Sequence, residues 1–483
     1  MPSLTHAQAP FRVYYVVFLT LVLPIALAVG DDSILRVGIA RADITPNVKG
    51  KAPVWIAGYG QNRRATGVHD PLYATALVLG DGQRQMALVS VDLVGLQYPD
   101  VQRIRKKLVG FDYVLVSSTH NHEGPDVIGI WGRSPVQSGV DPDYVDSVVD
   151  KACQSVRQAR QNMRPVTASY GVARVPADWL RDTRKPIVRD DALRVIVFRD
   201  PDSHEPAGLL VQYSCHPESL ASRNTEITAD FPAATIDTIQ KNLGCPVAYF
   251  SGAVGGLMTH PKKFTDSEGS ELRDGSFEYA TAYGQAIASV AEQAAAGARP
   301  VKMTPLRVAS MEIAIPLANP LYAAARLVGV LKREMIAYTG DWRDVSATAD
   351  VDAEKIALKT EVACLALGQV MLAAIPGEIY PELVYGRYQE PADPAADFPE
   401  SPLEPTVMDS MHSEYPLIVG LANDEIGYII PRRQWDQLPP YAYGREGGQY
   451  GEVNSCGPDV APILMEAFRG VTQLLRDGLP GRR

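Results

Sequence analysis

Short apolar runs recur along the whole of this chain, and four of them lead into side chains able to bind a metal. Tyr113-Val114-Leu115-Val116 runs into Ser117-Ser118-Thr119-His120-Asn121-His122-Glu123-Gly124-Pro125. Residues 209–215 run into His216-Pro217, and 364–374 into Ile375-Pro376-Gly377-Glu378. Residues 415–420 precede Asn423-Asp424-Glu425-Ile426-Gly427-Tyr428. Short apolar runs bounded by Gly, Pro and Asn read as strands. Polar residues placed just beyond strand ends lie in loops on a rigid scaffold, which is where sites tend to be built.

The other strand signals are 35–42, 72–79 and 85–93, the last two joined by the hairpin signal Gly80-Asp81-Gly82. More follow at 166–175, 193–198, 247–250 and 306–315. Helical periodicity is expected over 99–108, 143–163, 231–242, 279–296, 321–338, 351–358 and 458–475, with a long acidic loop at 391–405. Strands and helices alternate without a regular βαβ period. The expected fold is therefore mixed α/β (α+β), with layered sheets and flanking helices.

The amino terminus is set apart. Residues 1–12 are mostly polar and 13–29 almost wholly apolar, with Ala28 and Gly30 before Asp31. Residues 1–30 therefore read as a secretory signal peptide, with a retained membrane anchor as the alternative. Residues 31–483, secreted or periplasmic, are long enough for one large domain or two to three ordinary ones. A net charge of −10 with scattered Lys and Arg excludes a nucleic-acid partner. The 5 cysteines are widely spaced, so export permits disulfides but no spacing defines them.

In an extended backbone, residues i and i+2 face the same side, so His120 and His122 are expected to point together. A His/His/carboxylate set is what a catalytic zinc requires, with one position left open for water. A tyrosine is a weak further ligand or a donor to an oxyanion. Blander roles stay open: His216 as a turn residue, Glu378 as a helix cap, Tyr428 as a core aromatic. No Gly-x-Ser-x-Gly, Ser-x-x-Lys or His-Glu-x-x-His pattern supports another hydrolase class. Ser251-Gly252-Ala253-Val254-Gly255-Gly256-Leu257 lacks the lysine of a phosphate loop, so Gly255 and Gly256 are expected to let backbone approach a substrate. Asp92 and Glu378 are the candidates for a general base.

Taken in order, these segments resemble the neutral/alkaline non-lysosomal ceramidase family. Residues 37–46, Ala57-Gly58-Tyr59, Gly67-Val68-His69-Asp70, Val91-Asp92-Leu93, 119–125, Cys215-His216-Pro217, 252–255, 375–378 and Asn423-Asp424-x-x-Gly427-Tyr428 carry the likeness. It runs from about residue 35 to about 475, with nothing that corresponds to the family's immunoglobulin-like C-terminal domain. The resemblance implies a single catalytic domain over 31–483, and Zn2+ held by His120, His216, Glu378 and Tyr428, with His122 beside it on the scissile carbonyl. It implies Arg181 as the active-site arginine, Arg184 being the fallback, and Tyr450 as a second active-site tyrosine. Gly255 stands where the family has a serine. The expected function is an exported zinc-dependent hydrolase of a carboxamide bond, with a ceramide-like N-acyl lipid as substrate and a membrane surface as a compatible partner. The alternatives are another amide or ester on the same scaffold, and a non-catalytic binding protein.

Overall fold

A computed structural model of the protein describes residues 34–478 apart from 260–262, 267 and 347–355, so the leader at 1–30 lies outside the described residues. Three five-stranded sheets make up most of the β-structure. The first is built on Arg36–Asp43, Tyr73–Gly80, Gln85–Val91 and Tyr113–Ser118. The second uses Thr167–Arg174, Ala192–Arg199, Pro206–Tyr213 and Val247–Ser251. The third uses Leu306–Pro316, Ile356–Leu367, Val370–Ala374 and Tyr415–Val419. Each sheet mixes antiparallel neighbours with one parallel pair, such as Gln85–Val91 with Tyr113–Ser118. This is the mixed, layered α/β architecture expected from the sequence.

The sheets share a core. Leu77, Leu88 and Leu115 of the first pack with Ile196, Phe198 and Phe250 of the second and Leu365, Leu372 and Leu417 of the third. Strands buried on both faces need continuous apolar sequence, not alternation. That is why Tyr113–Ser118 and Val247–Ser251 are buried at every position. Helices cover the outer faces. Pro142–Gln161 lays Val145, Val148, Val149, Ala152 and Val156 on the first sheet, the three-and-four spacing of an amphipathic helix. Phe231–Leu243 and Phe277–Ala296 cover the second sheet, and Val460–Arg476 the third.

The helix expected over 321–338 is confined to Pro320–Leu327, because Gly329 takes φ 74 and turns the chain. Of the helix expected over 351–358, residues 351–355 lie outside the described residues, and the rest opens the strand Ile356–Leu367. The run 364–374 is two antiparallel strands, since Gly368 at φ 59 supplies a tight turn after Leu367. All five cysteines are buried and unpaired, so the permitted disulfides do not form. No helix among the described residues is long and apolar enough to cross a membrane.

Candidate metal centre and active site

The site forms where strands from all three sheets end. After Tyr113–Ser118, Thr119 N–H donates to the Val91 carbonyl at 2.9 Å and Asn121 N–H to that of Leu93 at 3.1 Å. His120 between them takes φ 66, a left-handed conformation uncommon for a residue with a side chain. The two histidines therefore converge through a turned backbone and not through the strand alternation expected from their spacing. Their rings lie 4.8 Å apart at 69°. His216 follows Pro206–Tyr213, with its N–H on the Leu257 carbonyl at 3.0 Å. Its ring centroid is 4.6 Å from that of His120 and 5.5 Å from that of His122. One nitrogen from each of the three buried rings lies within 4.8 Å of the others.

The carboxylate and phenol arrive together. Glu378–Ile379 and Tyr428–Ile429 pair as parallel strands with Glu378 opposite Tyr428. Glu378 Oε2 lies 2.9 Å from His216 Nε2 and 3.3 Å from His120 Nε2. The Tyr428 ring is 6.5 Å from that of His216, and burial followed by Glu378 raises the phenol's pKa well above its ordinary value. It stays neutral and able to donate.

Hydrogen bonding fixes which ring nitrogens face this centre. His120 Nδ1 is 2.7 Å from the Val94 carbonyl and His216 Nδ1 is 2.9 Å from the Leu257 carbonyl. Carbonyls only accept, so both Nδ1 atoms carry hydrogen and, in the neutral rings, both Nε2 atoms present lone pairs. Two imidazole lone pairs and a carboxylate oxygen then meet at one buried point, an arrangement that requires a proton or a cation between them. A zinc-like ion fits this donor set: two outward-anchored imidazoles, one carboxylate and an adjacent phenol.

His122 sits beside the cluster, fixed differently. Its N–H donates to the Pro217 carbonyl at 3.1 Å and its own carbonyl accepts from the buried Arg63 guanidinium. Tyr59 meets its ring edge-on at 5.2 Å, and a Cβ on Gly58 (φ 96) would lie 2.4 Å from the imidazole. Only glycine at 58 leaves room for the ring there. Burial, then His120 and His216, lower its pKa well below the ordinary histidine value, so it is neutral.

Tyr450 lies at the cavity mouth, 63% exposed, with its ring 6.0 Å from that of Tyr428. Arg181 is exposed on the short strand Leu180–Asp182 and does not line the cavity; burial raises the pKa of Glu218, and the Arg181 charge offsets part of that rise. The fallback, Arg184, is buried and committed to Glu452 at 2.7 and 2.8 Å, a structural pairing. Asp92 is buried away from the cavity wall, its pKa raised to about 7 mainly by that burial.

Gly255 and Gly256 are buried and line no part of the cavity. Their closeness is to protein backbone: Gly255 N–H donates to the Ile379 carbonyl at 3.0 Å, beside Glu378. A Cβ at 255 would lie 2.8 Å from Ile379 C and O and from Tyr380 N. Gly255→Ser therefore forces the Glu378 strand to shift, at a cost of about 1–3 kcal/mol. A thermal melt and a zinc titration check this, with both melting temperature and zinc affinity expected to fall. Wild-type values for both would contradict it.

Two carboxyl groups near the centre were not singled out by sequence. Glu218 Oε2 lies 3.8 Å from His122 Nδ1, and Tyr59 Oη donates to the Glu218 backbone carbonyl at 3.1 Å. Glu425 lines the cavity; burial, then the Glu378 charge, raise its pKa well above the ordinary carboxyl value. The only signal for either was position, two residues after His216 and three before Tyr428.

A cavity of about 880 Å³ opens over the cluster, with His120, His122, Glu378 and Tyr428 on its wall. Its other walls are largely apolar, including Ile128, Ile130, Trp131, Leu331 and Met335. Val136, Leu321, Val328 and Val453, all substantially exposed, also line it.

Residues 35–243 match the model of neutral/alkaline non-lysosomal ceramidase, N-terminal. The fold is similar to that of neutral ceramidase from Pseudomonas aeruginosa, with a TM-score of 0.68 at 18% identity over 93% of this chain and 76% of that one. It is equally similar to a ceramidase complexed with C2, with a TM-score of 0.68 at 16% identity over 94% and 77% of the two chains.

Proposed function

We propose that this chain, whose residues 35–243 match the neutral/alkaline non-lysosomal ceramidase model, is an exported zinc-dependent hydrolase that cleaves the carboxamide bond of an N-acyl lipid. The observation that carries this reading is the buried His120/His216/Glu378 donor set beside a large apolar cavity, with His120 and Glu378 on its wall. In this reading residues 1–30 direct export and 31–483 are the catalytic domain.

His120, His216, Glu378 and Tyr428 hold the zinc. Bound there, zinc supplies a Lewis acid toward the amide carbonyl and the attacking water. The apolar walls bury hydrocarbon at roughly 25 cal/mol per Å² and thereby hold the carbonyl in place. Neutral His122 and Tyr450 are donors to the oxygen on which charge develops. Acting as a donor, the neutral His122 ring carries its single hydrogen on the nitrogen that faces the substrate, and Glu218, 3.8 Å from His122 Nδ1, does not take it. Arg181, exposed near Glu218, orients a polar group of the substrate. A membrane or other lipid surface is the natural source of such a substrate.

The test is a panel of long-chain N-acyl amides, matched esters and short-chain acetyl amides given to the purified protein. Release of fatty acid from the long-chain amides is expected, with esters and short chains slower. Preferential cleavage of esters or short amides would move the substrate class. No turnover by zinc-loaded protein would support a non-catalytic binding role instead.

A further inference from the structure

Among the residues lining this cavity, two buried side-chain polar atoms have no hydrogen-bond partner in the protein: His122 Nδ1 and Glu425 Oε2. His122 Nδ1 at least faces the Glu218 carboxylate, at 3.8 Å. Glu425 Oε2 has no such counterpart. The side chain is nonetheless firmly placed. Its Oε1 accepts from Gly427 N–H at 2.8 Å, and its own N–H donates to Asp424 Oδ1 at 2.8 Å. Its stem packs so closely on Gly95 that a Cβ there would lie 2.5 Å from Glu425 Cβ.

A fixed, buried carboxyl oxygen left unpaired costs stability in either protonation state, and such groups call for an explanation in terms of function. The wall around it is mostly apolar, with Ile128, Val328 and Ile426 among its residues. It is also close to the chemistry. Gly427, whose N–H holds Glu425, accepts through its carbonyl from Glu378 N–H at 3.0 Å. One residue therefore links Glu425 to the proposed zinc ligand.

Resting on the amide-hydrolase reading, we infer that Glu425 is a specificity residue whose carboxyl accepts a hydrogen bond from a hydroxyl or ammonium group carried by the substrate near its scissile carbonyl. An amide without a donor at that place leaves the carboxyl unpaired and is disfavoured. A hydrocarbon chain alone would fill the cavity without satisfying it.

The experiment measures equilibrium binding to the full chain, by intrinsic tryptophan fluorescence, of dodecanol, dodecylammonium and a methyl alkyl ether of equal length. Wild-type protein is expected to bind at least one of the two donors at least about 10-fold more tightly than the ether, which lacks one. Whichever donor gains identifies the source. Glu425→Gln keeps the Gly427 bond but turns an N–H₂ toward the ligand, so any ammonium preference is lost while the alcohol, which also accepts, loses less. Glu425→Met removes the preference altogether and still binds the ether. In parallel, the ratio of kcat/KM for a long-chain amide with and without a nearby hydroxyl is expected to fall toward unity in Glu425→Met at unchanged zinc content. Equal binding of all three probes by the wild type, or the same preference in Glu425→Met, overturns the assignment. Probes discriminated through Glu425 with no amide cleaved would instead sink the hydrolase reading and leave the subsite standing.

Discussion

His216→Ala is expected to lose both its zinc and nearly all activity. The ring is fully buried, its Nδ1 is anchored on the Leu257 carbonyl, and its Nε2 is 2.9 Å from Glu378. Removing it leaves the Glu378 carboxylate with His120 alone. A Lewis acid contributes several kcal/mol to transition-state stabilisation, and a loss of about 4 kcal/mol is roughly a 10³-fold fall in rate. Metal analysis of the purified variant, with hydrolysis of a long-chain amide and a thermal melt, checks the result. His120→Ala should behave alike, because its Nδ1 is anchored in the same way on Val94. Stoichiometric zinc in either variant would sink the ligand assignment.

His122→Ala is expected to separate zinc from activity. Its ring joins the same histidine cluster, yet its backbone is fixed by Pro217 and Arg63, and neither ring nitrogen has a carbonyl anchor like those of its neighbours. In the proposed reading this ring serves the carbonyl oxygen and not the metal. Losing one such donor typically costs about 2.7–4 kcal/mol, or 10²–10³ in kcat. The variant should keep its zinc and its fold while turnover falls by that factor. Loss of zinc together with activity would make His122 a third histidine ligand and would end the division of labour proposed for the pair.

The strand ends that carry these residues were legible because buried strands demand continuous apolar runs, and the site residues stand just beyond them. The manner of their convergence was not legible. Nothing in Thr119-His120-Asn121 announces a left-handed residue, and φ 66 at His120 is set by the carbonyls of Val91, Leu93 and Val94. Leu321, Val328, Leu331 and Met335 imitate one long amphipathic helix because all of them face an apolar surface, which here is the cavity. Gly255 and Gly256 signal close approach in sequence, but not to what, and their partners prove to be the Glu378 strand and Tyr380. Glu218 and Glu425 had no pattern to betray them, since a single loop carboxylate looks the same in sequence whether solvated or buried beside a metal.

His120, His216, Glu378 and Tyr428 are proposed to hold one zinc beside the apolar cavity. The most direct measurement is anomalous diffraction at the zinc absorption edge from crystals of the purified protein. One peak per chain is expected, at about 2.0–2.2 Å from His120 Nε2, His216 Nε2 and a Glu378 carboxylate oxygen. A zinc-replete crystal with no peak among these three residues, or with its zinc elsewhere, would contradict it.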